Sequence, residues 1–213
     1  MKTSIRPKLR LLGLHGFRTN GAILRRQVER AKLFDDLPVD VELVCLDGPI
    51  PAAGDPEPSV LTAFPGMGKR KLPSCCSRGA PDALPVLLAG PYYEWANANK
   101  DPETGKWVLR GARESLAYIE SFVRDNGPFD GIVGFSQGTV VGTILAGLQQ
   151  HGMALQDCPP FRCMVLICGL PSRDKELFPE ALQGGIEVPS VHVVGQVRIA
   201  FSFRLRALLE EPR

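Results

Sequence analysis

The sequence predicts an α/β protein, with a mostly parallel sheet and helices on both of its faces. Short apolar runs alternate along the chain with segments whose apolar residues recur at helical spacing. The runs are continuously apolar, which is typical of parallel strands that are covered on both sides. With 213 residues, the chain is long enough for one domain with a substantial core.

Five strands are predicted from these apolar runs. The first covers residues 8–14 and the second covers about 40–46. The third is FDGIVGF at 129–135, the fourth is FRCMVLICGL at 161–170, and the fifth is VPSVHVVGQ at 188–196. Because helical segments separate most of them, we expect a parallel arrangement with crossover helices.

Helices are predicted between the strands from apolar residues at helical spacing. NGAILRRQVERAKLF begins at Asn20, whose side chain is placed to cap the helix. RGARESLAYIESFVRDNGPF is amphipathic and stops at Asn-Gly-Pro, 126–128. QGTVVGTILAGLQQHG at 137–152 is a buried helix, and SRDKELFPEALQGG at 172–185 is predicted to be a short one.

Two regions do not fit this alternation. Residues 48–107 are rich in proline and glycine and are predicted to form an irregular lid, in which 67–89 combines a basic cluster with two adjacent cysteines. Residues 197–213 form a divergent tail, either a short basic amphipathic helix or a frayed end. We therefore predict one domain over 1–196, followed by the tail.

Composition excludes several classes of function. The net charge of +2 is too small to indicate nucleic acid or a membrane surface as a partner. No apolar stretch is long enough to span a bilayer, and the first residues lead into a strand without a cleavage site for a signal peptide. No dinucleotide or phosphate-binding glycine motif and no metal-ligand pattern is present, so no cofactor is expected.

The cysteines indicate a reducing compartment. None has CxxC spacing, and several lie in apolar strand-like runs, where cysteine behaves as a small hydrophobic residue. We expect reduced thiols in a cytoplasmic protein. The six are Cys45, Cys75, Cys76, Cys158, Cys163 and Cys168.

The sequence GFSQG at 134–138 is a G-x-S-x-G motif that ends a predicted strand and begins a predicted helix. In a nucleophile elbow this context places the serine on a strained bend. Gly134 and Gly138 lack side chains that would clash there. The bend raises the Ser136 hydroxyl above the sheet at a helix N-terminus, where developing negative charge is stabilised. Ser136 is therefore the predicted nucleophile.

A second feature lies at the end of the first strand, where LGLHGF contains His15 and Gly16. In hydrolases that have a nucleophile elbow, a His-Gly segment at this position contributes one backbone N–H to the oxyanion hole. The residue after the nucleophile contributes the other, and in this chain that residue is Gln137. We expect His15 to shape this loop rather than to exchange protons.

These segments, together with PYYEW at 91–95, GPFDGIVGFSQG and VPSVHVVGQ, resemble the "family of serine hydrolases" group of small α/β-hydrolases. The resemblance runs from residue 8 to about 196 and is interrupted by 67–89. It implies an α/β-hydrolase fold and an esterase or thioesterase that uses a Ser-Asp-His triad. It also implies that Phe17 and Gln137 are the oxyanion donors and that Tyr92, Tyr93 and Trp95 lie at the substrate pocket, unless these aromatics simply pack under a lid.

The chain departs from that pattern at its C-terminal end. The family places an aspartate after the fifth strand and a histidine further on, whereas this chain has no aspartate after Gly195. We therefore expect the fold to lack the last strand and helix of the family. Asp174, after the fourth strand, is a candidate acid, although it would need a base to orient.

None of the three histidines is well placed as the base. His192 lies inside a predicted strand, and His151 follows Ser136 by 15 residues on the same helix. That spacing is roughly 22 Å, whereas a general base must come within about 3 Å. His15 is close in space but belongs to the oxyanion side. We expect hydrolysis of small acyl esters or thioesters to be impaired.

Two alternatives to an esterase remain open. One is a non-catalytic isoform that binds ligands or regulates, and the other is an interaction module that self-associates through the exposed edge of the fifth strand and the basic tail at 197–213. We also hypothesise that 67–89 and 197–213 come from alternative splicing or retained intron sequence, because both join family-like sequence abruptly.

Overall fold

The computed structural model describes residues 8–55 and 90–194. The predictions made for 67–89, for the tail at 197–213 and for the end of the fifth strand at 195–196 therefore lie outside the described residues.

Five parallel strands form the central sheet in this part of the chain. All five correspond to the predicted strands. Their bounds are β1 Lys8–Leu14, β2 Asp40–Leu46, β7 Gly131–Phe135, β8 Cys163–Ile167 and β9 Ser190–Val193. Their order across the sheet is β2-β1-β7-β8-β9. Leu14 pairs with Gly134, and Phe135 pairs with Ile167. The loops that follow β1, β7 and β8 therefore leave the same edge of the sheet side by side.

In the ranges that the structure describes, three α-helices cover the sheet, and all three were predicted. They are α1 Gly21–Arg30, α2 Ala112–Asn126 and α3 Gln137–Gln150. The Asn20 side chain caps α1 by accepting a hydrogen bond of 2.9 Å from the Ile23 N–H. The second helix ends before Gly127-Pro128, as the sequence indicated.

The helices bury two separate apolar cores, one on each face of the sheet. On one face, Leu12 and Ile132 pack with α2 and α3. On the other, Leu11 and Val133 pack with Leu24 of α1. Neighbouring residues of one strand thus point into opposite cores, which explains why the strands are continuously apolar. The prediction of an α/β protein with helices on both faces is confirmed.

Two expectations differ from the structure. The described parts of 48–107, which were predicted to be irregular, contain two small antiparallel pairs: β3 Ile50–Pro51 with β4 Tyr93–Glu94, and β5 Asn97–Lys100 with β6 Trp107–Arg110. The prediction of a helix at 172–185 was wrong, because the only helical structure in this segment is a 3₁₀ turn over Pro179–Leu182.

Candidate active site

Ser136 lies on the bend between β7 and α3, with φ 49° and ψ −111°. A positive φ is uncommon for a residue with a side chain and costs of order 1–3 kcal/mol. Hydrogen bonds on both sides hold this conformation. The Ser136 N–H donates to Ile167 O at 2.9 Å, and its carbonyl accepts from the Thr139 N–H and hydroxyl at 3.0 and 2.6 Å. The serine is thus fixed by its own backbone at the N-terminus of a helix.

The two glycines of the motif are required by close packing. A Cβ at Gly134 would lie 2.8 Å from Thr139 Cα, and a Cβ at Gly138 would lie 2.1 Å from the carbonyl oxygen of Leu14. The second contact is with β1, so the bend at Ser136 packs directly against the neighbouring strand. This packing is what brings the loop at His15–Gly16 beside the start of α3.

The Phe17 and Gln137 residues meet Ser136 around one cavity of about 400 Å³. Gln137 is the first residue of α3, where a backbone N–H has no partner within the helix. Within the described ranges neither its N–H nor that of Phe17 donates to another protein group. Two backbone donors are therefore available at the cavity that Ser136 lines.

Trp95 links the two loops that carry these donors. Its indole N–H donates to the His15 carbonyl at 2.9 Å, and its backbone N–H donates to the Gln137 side-chain oxygen at 2.8 Å. The Gln137 amide also donates to Ala96 O at 2.6 Å, and Ser115 Oγ donates to Trp95 O at 2.6 Å. Trp95 is completely buried. The two sides of the site are therefore held together by one aromatic residue.

His15 is fixed in a single neutral form. The Gly48 N–H donates to its Nε2 at 2.8 Å, so the ring proton resides on Nδ1, which donates to Gly16 O at 2.7 Å. The side chain is fully buried, and burial lowers the pKa of His15 to about 4. Both nitrogens are occupied, which excludes His15 as a base for Ser136 and agrees with the expected structural role.

The other two histidines are engaged elsewhere. His151 caps the far end of α3 and contacts Gln183 O at 3.1 Å, while His192 lies on β9 with its Nε2 3.1 Å from Ser190 Oγ. All three histidines of the chain fall in the part that the structure describes. In that part no side chain forms a hydrogen bond with the Ser136 hydroxyl.

Asp174, the candidate acid, has a structural role. Its carboxylate accepts the backbone N–H groups of Leu109, Glu176 and Leu177, each at 3.0 Å. These bonds fix the turn after β8 and tie it to β6. No histidine contacts this carboxylate within the described residues, so it does not orient a base there.

The cavity is mainly apolar, with Ser136 and Gln137 on one wall. Arg173 is the single charged residue among the described lining residues. They are Phe17, Ala96, Ala98, Trp107, Leu109, Ser136, Gln137, Val140, Val141, Leu170, Pro171 and Arg173. Sequence reasoning missed Trp107 and Arg173. Their positions depend on the β5–β6 hairpin and on the turn after β8, neither of which has a strong local sequence signal.

The aromatics expected at the pocket are placed differently. Trp95 lies behind the cavity, in the core, because its indole N–H and ring pack against His15, with ring centres 5.0 Å apart. Tyr93 belongs to β4 and donates its N–H to Thr19 O, and the Tyr92 carbonyl accepts from the Ala52 N–H. None of the three is among the described residues that line the cavity. For Trp95, the simpler reading of packing is the one that the contacts support.

Neither a membrane span nor a metal cluster is found in the described residues. No helix in these ranges is both long and apolar enough to cross a bilayer. No group of three or more His, Cys, Asp or Glu side chains gathers there in a way that would hold a metal ion.

Comparison with known proteins extends over almost the whole chain. The family described as "Serine hydrolase (FSH1)" matches residues 3–198. Esterase OVCA2 of Bos taurus is 31% identical over 194 residues, which are 89% of this chain and 76% of that protein. Esterase OVCA2 of Homo sapiens is 31% identical over 187 residues, 88% of this chain and 75% of that protein.

A similar solved structure is that of acyl-protein thioesterase 2 of Zea mays. It is 18% identical, with a TM-score of 0.45, and the match covers 90% of this chain and 72% of that chain.

Proposed function

Because the chain belongs to the FSH1 family of serine hydrolases, we propose that it hydrolyses small acyl esters or thioesters with Ser136 as the nucleophile. One observation carries the proposal: the Ser136 hydroxyl stands on a strained bend facing an apolar cavity, beside the unpaired N–H groups of Phe17 and Gln137. The name of the OVCA2 relatives, esterase, supports an ester as substrate.

In the proposed reaction, Ser136 Oγ attacks the acyl carbon and loses its proton. The carbonyl oxygen becomes negatively charged and accepts hydrogen bonds from Phe17 and Gln137, which replace the water molecules that would otherwise solvate it. The alcohol or thiol leaves with a proton, and water then releases the acid from the acyl-serine. The apolar cavity walls hold the acyl chain.

We propose that turnover is impaired, because none of the three histidines is available to take the serine proton. His15 has both ring nitrogens occupied, and His151 and His192 contact other elements. The proton must then pass to solvent. An oxyanion hole and substrate binding alone retain about 10³–10⁴-fold catalysis over water, which is far below the rate of a complete triad.

Labelling with a fluorophosphonate tests the assignment of Ser136. We expect slow labelling confined to Ser136, and slow hydrolysis of p-nitrophenyl butyrate, both abolished in Ser136→Ala. Ser190→Ala, which removes an exposed hydroxyl at the start of β9, is the matched control and should behave as the unaltered protein. Labelling or hydrolysis that persists in Ser136→Ala would overturn the assignment. Rapid labelling would overturn the proposed impairment.

A second candidate is a ligand-binding or regulatory protein that keeps the cavity without turnover. The locked, neutral His15 favours it, because no described group completes the chemistry. Binding of a butyrate ester by a folded protein that neither hydrolyses it nor reacts with the fluorophosphonate would support this candidate. Measurable turnover that is lost in Ser136→Ala would exclude it.

We also place the protein in the cytoplasm. The support is that Cys45, Cys158, Cys163 and Cys168 are all free thiols, which suits a reducing compartment. Cys75 and Cys76 lie outside the described residues. Self-association through the edge of β9 stays a prediction, since β9 pairs only with β8 in the described ranges.

A further inference from the structure

We propose that the cavity beside Ser136 takes acyl esters or thioesters that carry a carboxylate or phosphate group, and that Arg173 binds this negative charge. The inference rests on the proposed function, because it defines the substrate class of the same cavity. Arg173 follows β8 and is exposed at the surface. It is the one charged member of the described cavity wall. A charged group of a ligand in this cavity therefore has one charged side chain to interact with.

Arg173 has no acidic partner in the described residues. None of the seven salt bridges there includes it. The neighbouring Asp174 uses its carboxylate on three backbone N–H groups. A guanidinium presents five N–H donors in a plane, which match the oxygens of a carboxylate or phosphate. These donors are therefore available to a ligand.

Trp107 holds the guanidinium at the cavity. Arg173 Cζ lies 4.7 Å from the centre of the Trp107 ring, and Lys100 Nζ lies 5.8 Å from the same centre. Contacts of this kind attract a cation to an aromatic ring. Two cations gathered at one ring repel each other, and an anion bound beside them would relieve that repulsion.

A second, larger groove of about 1040 Å³ lies beside the cavity and shares Trp107, Leu109 and Arg173 with its wall. Arg173 therefore stands where the two spaces meet. A substrate whose carbonyl lies at Ser136 and whose chain extends toward the groove would come within reach of this arginine.

The groove itself carries excess positive charge. Besides Arg173, three of its cations form no salt bridge in the described part of the chain, whereas Glu176 is paired with Lys106 and Asp101 accepts hydrogen bonds from its own turn. Glu114 and Asp174 are the other acidic residues of the groove, so its described lining holds five cations and four carboxylates, an excess of one positive charge. The three further cations are Arg110, Arg113 and Lys175.

Calorimetric titration of the Ser136→Ala protein tests the inference without requiring turnover. The two ligands are monoethyl adipate, which carries one carboxylate, and diethyl adipate, its neutral counterpart. We expect the charged ester to bind about fivefold more tightly, as befits an exposed charge-assisted contact. The preference should shrink as salt is raised, because mobile ions screen exposed charges.

Arg173→Gln in the same background should abolish the preference, and Arg173→Lys should retain part of it. Arg26→Gln, on α1, is the matched control and should leave the preference unchanged. A third ligand, 4-acetoxybutyl phosphate, places a phosphate on the alcohol side. Comparing its dependence on Arg173 with that of monoethyl adipate identifies which group, and which half of the ester, meets the arginine.

Equal affinity for the charged and neutral esters, a preference that survives Arg173→Gln, or no binding of any ester would overturn the inference. Its failure is distinct from failure of the proposed function. Fluorophosphonate labelling of Ser136 without a charge preference would remove only the role of Arg173. A charge preference without labelling would leave an anionic-ester site that lacks a reactive serine.

Discussion

His15 is buried as a neutral imidazole, and this state couples folding to pH. Its ring can take up a proton at an ordinary pKa of 6.5 in the unfolded chain but only near pH 4 in the folded protein. Between these values the unfolded state binds more protons. The free energy of unfolding should therefore fall as pH is lowered from about 6.5 toward 4, by up to about 1.4 kcal/mol per pH unit, and this contribution should be constant above pH 6.5.

Urea unfolding at several pH values between 5 and 7.5 measures this dependence. Glu42 and Asp101 also have lowered pKa values, caused first by hydrogen bonds from Lys8 and Thr104 respectively. Stabilisation from these carboxylates is lost only below their ordinary values of 4.5 and 3.8, outside the measured range. The His15→Gln protein should have a lower free energy of unfolding, and this free energy should no longer decrease as the pH is lowered from about 6.5. Parallel pH profiles for the two proteins would show that His15 is not its source.

Trp95 joins the two halves of the site, so its indole N–H should matter for stability. Trp95→Phe removes the donor to the His15 carbonyl and leaves a void in the core. We expect the free energy of unfolding to fall by about 2–4 kcal/mol, measured by urea titration with circular dichroism. Trp107→Phe alters a half-buried ring and should cost about 1 kcal/mol or less. Similar losses for the two variants would contradict the central position assigned to Trp95.

At the scale of elements, the junction of β7 and α3 is set by how closely it packs on β1. Gly138→Ala would place a Cβ 2.1 Å from the Leu14 carbonyl oxygen. Because that neighbour is backbone, it cannot move aside as a flexible side chain would. We expect a loss of about 3 kcal/mol or more in the free energy of unfolding, together with loss of Ser136 labelling.

Gly142→Ala, one turn further along α3, is the control for this prediction. Its Cβ would meet only side-chain atoms, the nearest being Ile132 Cγ2 at 3.0 Å. The gain in helix propensity, about 1 kcal/mol, offsets the crowding, so the net change should be small. If Gly138→Ala is tolerated as well as Gly142→Ala, the bend at Ser136 is not held by its contact with β1.

The segment at 172–185 shows why element prediction failed there. Its apolar spacing suggested a helix, but Asp174 draws the N–H groups of Glu176 and Leu177 into a local turn. Pro179 then starts a single 3₁₀ turn, and Gly184 and Gly185 follow with positive φ. Local hydrogen bonds and turn residues therefore determined the structure of this segment, although its apolar residues have helical spacing.

For the whole molecule, the α/β fold with a parallel central sheet and helices on both faces was predictable and is confirmed. Its signals are strong and local: buried strands such as Gly131–Phe135, and helices with clear caps and stops. Ser136 on its bend could be foreseen because the G-x-S-x-G motif joins a strand to a helix. Its chemical role stays a prediction until labelling tests it.

The cavity wall could not be predicted in the same way. Trp107 and Arg173 are 66 residues apart in sequence, and their contact depends on the β5–β6 hairpin meeting the turn after β8. Pairings of two to four residues carry little periodicity. The aromatic run at 91–95 had a visible pattern, yet burial and hydrogen bonding placed Trp95 in the core.

The strained bend at Ser136 is maintained by contacts that folding itself requires. Gly138 against β1, and the Ser136 N–H on Ile167, join three neighbouring strands of the central sheet. Selection for a stable protein would therefore preserve this geometry even in a lineage that no longer needed the reaction. A bend that is retained among related proteins therefore reflects the requirements of folding. Whether the reaction is retained is better judged from the presence of a proton acceptor for the serine.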